Sequence, residues 1–306
     1  MRKILFRMGL VFFTTVLLLF LTMVHSSPAS AESTIEVTVK LVDSQGKGLS
    51  GSSVQYYSGG WQSFGTTNID GEATRDLPAG TYTFRISYGG ATQEKSQNVA
   101  TDPTVVFQTK LVTFKLLDST SNEISGAGTQ YYASGWRAFG SGTTTATMEL
   151  LPINYTFRVS YGGATQEKSQ NIATNSIVVF QTKLVTFKLL NSAGTTELNG
   201  GAQYYASGWK TFGSGTTTAT MELLPVNYTF RVSYGGATQE KSQNVGTNPI
   251  VTFQTTSVTM KLLDSAGTTE LNGGAQYYAS GWKTFGSGTT TTTMELLPVN
   301  YTFRVS

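Results

Sequence analysis

The chain has 306 residues, 13% of them charged, with a single histidine and no cysteine. Its 21 basic residues outnumber the 18 acidic ones only through Arg2, Lys3 and Arg7, so the rest is formally neutral, without the basic patch that binding to nucleic acid requires. The one histidine, His25, is also N-terminal, and its removal would exclude Ser-His-Asp triads, thiol nucleophiles, ordinary zinc, copper or haem sites, and disulfides. No cofactor, metal ligand set or catalytic residue is expected, and the chain reads as a non-enzyme.

Residues 1–31 read as a signal peptide. A basic start precedes a mostly apolar run over residues 8–24, and Ala29 and Ala31 form the small-x-small pattern of a cleavage site. Seventeen residues fall short of the about 20 that a spanning helix needs, so no membrane span is expected after cleavage. The mature chain is expected to be secreted or displayed on the cell surface.

Everything after the leader repeats. Trp61, Trp136, Trp209 and Trp282 stand 75, 73 and 73 residues apart, marking units at 36–110, 111–183, 184–256 and a shorter one at 257–306. The fourth differs from the third at only four positions, Leu184/Ser257, Phe187/Met260, Asn191/Asp264 and Ala219/Thr292. Identity that extends to exposed positions points to recent duplication and by itself carries no functional weight. A period of this length is too long for a solenoid turn or a propeller blade and suits a compact domain, with neighbours packed in series.

Within the second unit the apolar residues alternate with the period of a strand. Val112, Phe114 and Leu116 oppose Thr113 and Lys115, and Tyr155, Phe157 and Val159 oppose Thr156 and Arg158. Further short strands are predicted around residues 130–132, 136–139, 145–151, 166–172 and 178–180, with turns at Gly140-Ser-Gly142, Leu151-Pro152 and Gly162-Gly163. Seven strands and no helix predict an all-β chain of tandem seven-stranded, Ig-like or transthyretin-like β-sandwiches. The polar stretch at 166–171 reads as an edge strand, whose Lys and Glu discourage pairing with other molecules.

In the first unit Asp43, Gly46, Gly51, Asp70, Gly71, Leu77, Pro78, Gly80 and Tyr82 form a pattern of strand, Asp-Gly turn, and Leu-Pro-x-Gly-x-Tyr. This resembles the transthyretin-like (prealbumin-like) sandwiches, including the carboxypeptidase-regulatory-like and CNA B-type repeats of bacterial surface proteins. The later units lack the Asp70-Gly71 turn and keep the Leu-Pro and Tyr parts. Some CNA B-type domains carry a Lys–Asn isopeptide crosslink beside an acid, which would fall to Lys115, Asn171 and Glu149. The parity of the first strand turns Lys115 outward, so no crosslink is expected.

The sharpest feature is an aromatic cluster repeated in every unit. Its outer members give a candidate ligand platform at Tyr57, Trp61, Tyr132, Trp136, Tyr205, Trp209, Tyr278 and Trp282. Adjacent tyrosines on a strand face opposite sides, so about half of this aromatic surface is expected outside the core. Filling the core or a junction between repeats is the preferred role; stacking on extracellular glycans or on a surface protein is the alternative. Gly140-Ser-Gly142 lacks the lysine and helix of a phosphate loop. The Asn-Tyr-Thr sequons at Asn154, Asn227 and Asn300 serve equally as turns.

These readings converge on a structural or adhesive stalk. A carbohydrate-binding array or the accessory repeats of a larger secreted enzyme are the rivals. Only residues 181–184 separate Phe180 from Val185, without Gly or Pro, so the units are expected to form a semi-rigid rod. The last unit, without counterparts of residues 234–256, is expected to be a fragment of a longer reading frame.

Overall fold

The computed structural model describes residues 33–306; the leader and its cleavage site lie outside them. Alternation decides the strands. In β1 (Thr34–Val42) Val37, Val39 and Leu41 are buried, whereas Lys40 points out and pairs with Glu72. The first repeat continues through β2 (Ser53–Tyr57), β3 (Trp61–Thr66), β4 (Glu72–Pro78), β5 (Thr81–Tyr88), β6 (Ala91–Asn98) and β7 (Thr104–Gln108).

Two sheets enclose the core, one ordered β4-β1-β7 and the other β3-β2-β5-β6. All neighbours are antiparallel except the first and last strands, which run parallel from Thr38↔Thr104 to Val42↔Gln108. The same seven strands and strand order recur over residues 110–181 and 183–254. No helix is present among the described residues. Rings fill each interior; in the second repeat Phe114, Phe139, Phe157 and Phe180 pack together, with Phe114 and Phe180 stacked at 5.3 Å.

The edges are closed by side chains rather than by more strands. Lys95 of β6 donates across the sandwich to the Val106 carbonyl, and Gln97 donates to the carbonyls of Asp102 and Thr104. Lys168 with Gln170, and Lys241 with Gln243, repeat the arrangement. The polar strand thus occupies carbonyls of β7 that a foreign strand would otherwise use.

One turn differs from its sequence expectation. Gly140-Ser-Gly142 is not a turn but lies within a continuous strand, Trp136–Thr143, whose register jumps between Ala138 and Thr143. Glycines at φ 56° and 78° admit this bulge. The reversal comes later, at Thr144 and Thr145, where Thr145 holds φ 65°. The first repeat uses Asp70-Gly71 in its corresponding loop, with the positive φ of 78° on glycine.

The fourth repeat keeps its hairpins without the closing strands. Thr256–Met260 pairs only with Thr292–Leu296, and Thr302–Val305 ends a three-stranded sheet. Phe303 is 41% exposed, whereas Phe84, Phe157 and Phe230 at the same step are fully buried. Amides of residues 257–306 should therefore exchange much faster than those of the first three repeats; equal protection in a hydrogen-exchange map would refute this assignment. Thr145→Gly should stabilise the second repeat by about 1 kcal/mol by relieving a β-branched residue at positive φ. An unchanged or lowered melting temperature would show that the turn is unstrained.

Candidate functional site at the repeat junctions and the outer aromatic row

Adjacent strand residues face opposite ways, and this parity splits the aromatic cluster. Tyr131, Tyr204 and Tyr277 point inward and are at most 2% exposed, while Tyr132, Tyr205 and Tyr278 are half exposed. Phe139 is likewise buried and Trp136 half-buried on the outer face. Outside, Tyr57 meets Trp61 edge-to-face at 5.5 Å, and the Arg85 guanidinium lies 3.7 Å over the indole. Glu94 on β6 holds Arg85 in place. Arg158 over Trp136 and Arg231 over Trp209 repeat this row at the same 3.7 Å, held by Glu167 and Glu240. In the fourth repeat Arg304 covers Trp282 at 4.0 Å and bonds Gln276 instead.

The row is thus a self-satisfied stack. A sugar ring stacks on a free indole face, and one face of each of these indoles already carries an arginine. A shallow groove of about 460 Å³ beside Tyr205 is lined by Gly163, Thr165, Ser207 and Asn227, where the second repeat meets the third.

The inner tyrosines lead to that meeting point. The Tyr131 hydroxyl donates to the Gly89 carbonyl of the preceding repeat at 2.8 Å, and Ser134 donates to the Gly90 carbonyl at 2.9 Å. Glu149 closes the other side, accepting from the Ser44 amide at 3.2 Å and from the Ser44 and Thr109 hydroxyls. Thr109 is the only residue between β7 and the strand Lys110–Leu117; it is fully buried and its amide bonds the Val42 carbonyl. The connection is thus a single residue held at both its amide and its hydroxyl.

Gly90 must be glycine here. It sits at φ 83°, and a Cβ would fall 2.4 Å from Arg137 Nε and 2.9 Å from the Ala133 carbonyl. Burial raises the Tyr131 hydroxyl above its ordinary pKa, and the nearby Arg137 partly offsets this, so it remains a proton donor at neutral pH.

The next two junctions copy the first. Tyr204 and Ser207 reach Gly162 and Gly163, with Glu222 on Ser119 and Thr182; Tyr277 and Ser280 reach Gly235 and Gly236, with Glu295 on Ser192 and Thr255. Apolar contact runs through as well: Leu224 packs into the core cluster of the first two repeats, and Leu297 into that of the third. The crosslink residues that the resemblance suggested, and that parity argued against, take separate partners, with Glu149 at the junction. Lys115 is exposed on Glu123, and Asn171 caps its own turn by accepting from the Ala173 amide. Among the described residues no group of three or more His, Cys, Asp or Glu side chains could hold a metal, and no helix is long and apolar enough to cross a membrane.

No known protein family matches the chain, and no curated protein does. Among solved structures it is similar to the TIE protein of Bacillus anthracis, at 17% identity and a TM-score of 0.22, covering 73% of this chain and 50% of that one. It is also similar to the shaft pilin SpaA from Lactobacillus rhamnosus GG, at 16% identity and a TM-score of 0.20, covering 49% and 98%. BcpA, the major pilin subunit of Bacillus cereus, matches at 11% identity and a TM-score of 0.20, covering 72% and 98%. The chain spans about half the length of the TIE protein. Likeness at this level carries no functional argument. By its own strand order the chain is an all-β tandem array of seven-stranded β-sandwiches, consistent with Ig-like or transthyretin-like units.

The junction carboxylates give a pH prediction. Burial at the junction opposes ionisation of Glu295, but the hydrogen bonds from Ser192 and Thr255 outweigh it and hold the carboxyl below its ordinary value. Its contribution is present above the unfolded Glu pKa of about 4.3 and is lost as pH falls through the lower folded value. The Ser192 amide resonance should titrate in that acid window, and Glu295→Gln should abolish the step. A Ser192 amide that ignores Glu295 would contradict the assignment.

Proposed function

We propose that the chain is an extracellular stalk, a non-catalytic rod that bears load and holds attached surfaces away from the cell. One observation carries this reading: each of the first three repeats enters on its first strand and leaves on its last, and these two run parallel, side by side. Tension applied through the chain pulls the start of β1 against the end of β7. That loads all the bonds of the pair together in shear instead of opening them one after another. The connecting residue is locked by the junction, so the pull passes directly into the next shear pair.

The signal peptide expected from residues 1–31 supports an extracellular setting, and partners would be surface proteins or glycans met at the outer faces. The arginine-covered tryptophans weigh against sugar stacking as the main role.

Single-molecule pulling of the full chain tests the proposal. Three strong unfolding events should appear, each releasing roughly 220 Å of chain for a repeat of this length. The fourth repeat, which has no parallel first–last pair among the described residues, should yield earlier and at lower force. Unfolding of the first three repeats at forces no higher than the fourth would reject the load-bearing role.

A further inference from the structure

The repeats are not interchangeable at their ends. Each of the first three carries the receiving half of the junction: Ser44, Gly89, Gly90 and Thr109 in the first, with Ser119, Gly162, Gly163 and Thr182, then Ser192, Gly235, Gly236 and Thr255 in the next two. The inserting half is present only from the second repeat onward. Where the second has Ala133, Ser134 and Arg137, the first has Ser58, Gly59 and Gln62. Opposite the first strand, Asp76 faces Glu36 at the step where Glu149 faces Leu111.

The differences at Ala133, Ser134 and Glu149 have physical reasons that involve a neighbour, and Arg137 lies against Gly90 of the preceding repeat. Ser134, Ser207 and Ser280 sit at φ 53–55°, a conformation unfavourable for serine, and each hydroxyl bonds a carbonyl of the preceding repeat. At the same turn the first repeat uses Gly59 at φ 65°, which adopts that conformation without a compensating bond. Ala133 is buried by the preceding repeat, and Ser58 at its place is exposed. Glu149 reaches two hydroxyls, whereas the shorter Asp76 is exposed. Tyr56, the counterpart of the buried Tyr131, is covered from within its own repeat by Arg75, which lies 5.4 Å over the ring and bonds the Ser63 carbonyl.

We infer that the junction is a one-way coupling between a socket and a plug, and that the first repeat is a cap with a socket but no plug. The binding site is the socket of two hydroxyls and a Gly-Gly turn, and its partner is the plug-bearing end of another repeat of this type. The cap end refuses that partner, so copies of the chain do not join onto it head to tail. The assignment rests on residue choice at 56–76 and stands whether or not the rod bears load.

Amide exchange on the full chain tests it, with the Ser44 amide reporting the first junction and Ser119 the second. Giving the second repeat the cap residues (Ala133→Ser, Ser134→Gly, Arg137→Gln, Glu149→Asp) should speed exchange at Ser44 at least tenfold. Ser119 and the core amides of the second repeat should be unchanged. Giving the first repeat the plug residues (Ser58→Ala, Gly59→Ser, Gln62→Arg, Asp76→Glu) should leave every junction as it was and speed exchange in the first repeat's own core several-fold. Unchanged Ser44 protection in the first variant would overturn the inference. So would collapse of the second repeat's core, since the same four residues serve the first repeat without a neighbour. An undisturbed first repeat in the second variant would overturn it as well.

Discussion

A carboxylate held by two hydroxyls and an amide of the preceding domain fixes how each repeat sits on the last. Glu149 on Ser44 and Thr109 is the first case, and it immobilises the one residue that joins two sandwiches. Charged hydrogen bonds of this kind contribute about 2 kcal/mol each, and neutral ones such as that from Tyr131 to Gly89 about 1 kcal/mol. A linker composed of a single buried threonine has little entropy to lose, so those modest energies suffice to hold a defined angle.

Two further features follow from that constraint. The Gly89-Gly90 turn serves twice: its positive φ values close the β5–β6 hairpin, and its bare backbone admits the tyrosine hydroxyl and cationic side chain of the following repeat. The leucine at 224 or 297, beside the leucine that continues the strand register, anchors each repeat in the core of the preceding one. The outer face carries an Arg–Trp–Tyr row already paired with itself, in which the tyrosines stay half exposed.

Much of the sandwich was legible in the sequence because parity is a local signal. Val112, Phe114 and Leu116 alternate with polar residues, and the same rule separated Tyr204 from Tyr205 and turned Lys115 outward. The glycine pair around Ser141 was misread as a turn, since a bulge and a turn draw on the same residues and only the partner strand distinguishes them. The junction was not legible in any single repeat. Ser134 and Glu149 have the composition of ordinary solvated surface, and their partners lie 40 to 105 residues away. The available signal was comparative: among the positions where the first repeat departs from the others, 58, 59, 62 and 76 correspond to residues that meet a neighbour in the later repeats.

Small-angle scattering of the mature chain tests the junction-locked rod most directly. The account predicts one elongated species with a maximum dimension on the order of 120 Å, about 30 Å for each of four repeats, and a rod-like cross-section. A compact globule, or a broad ensemble of bent forms, would show that the three junctions do not hold the repeats in line.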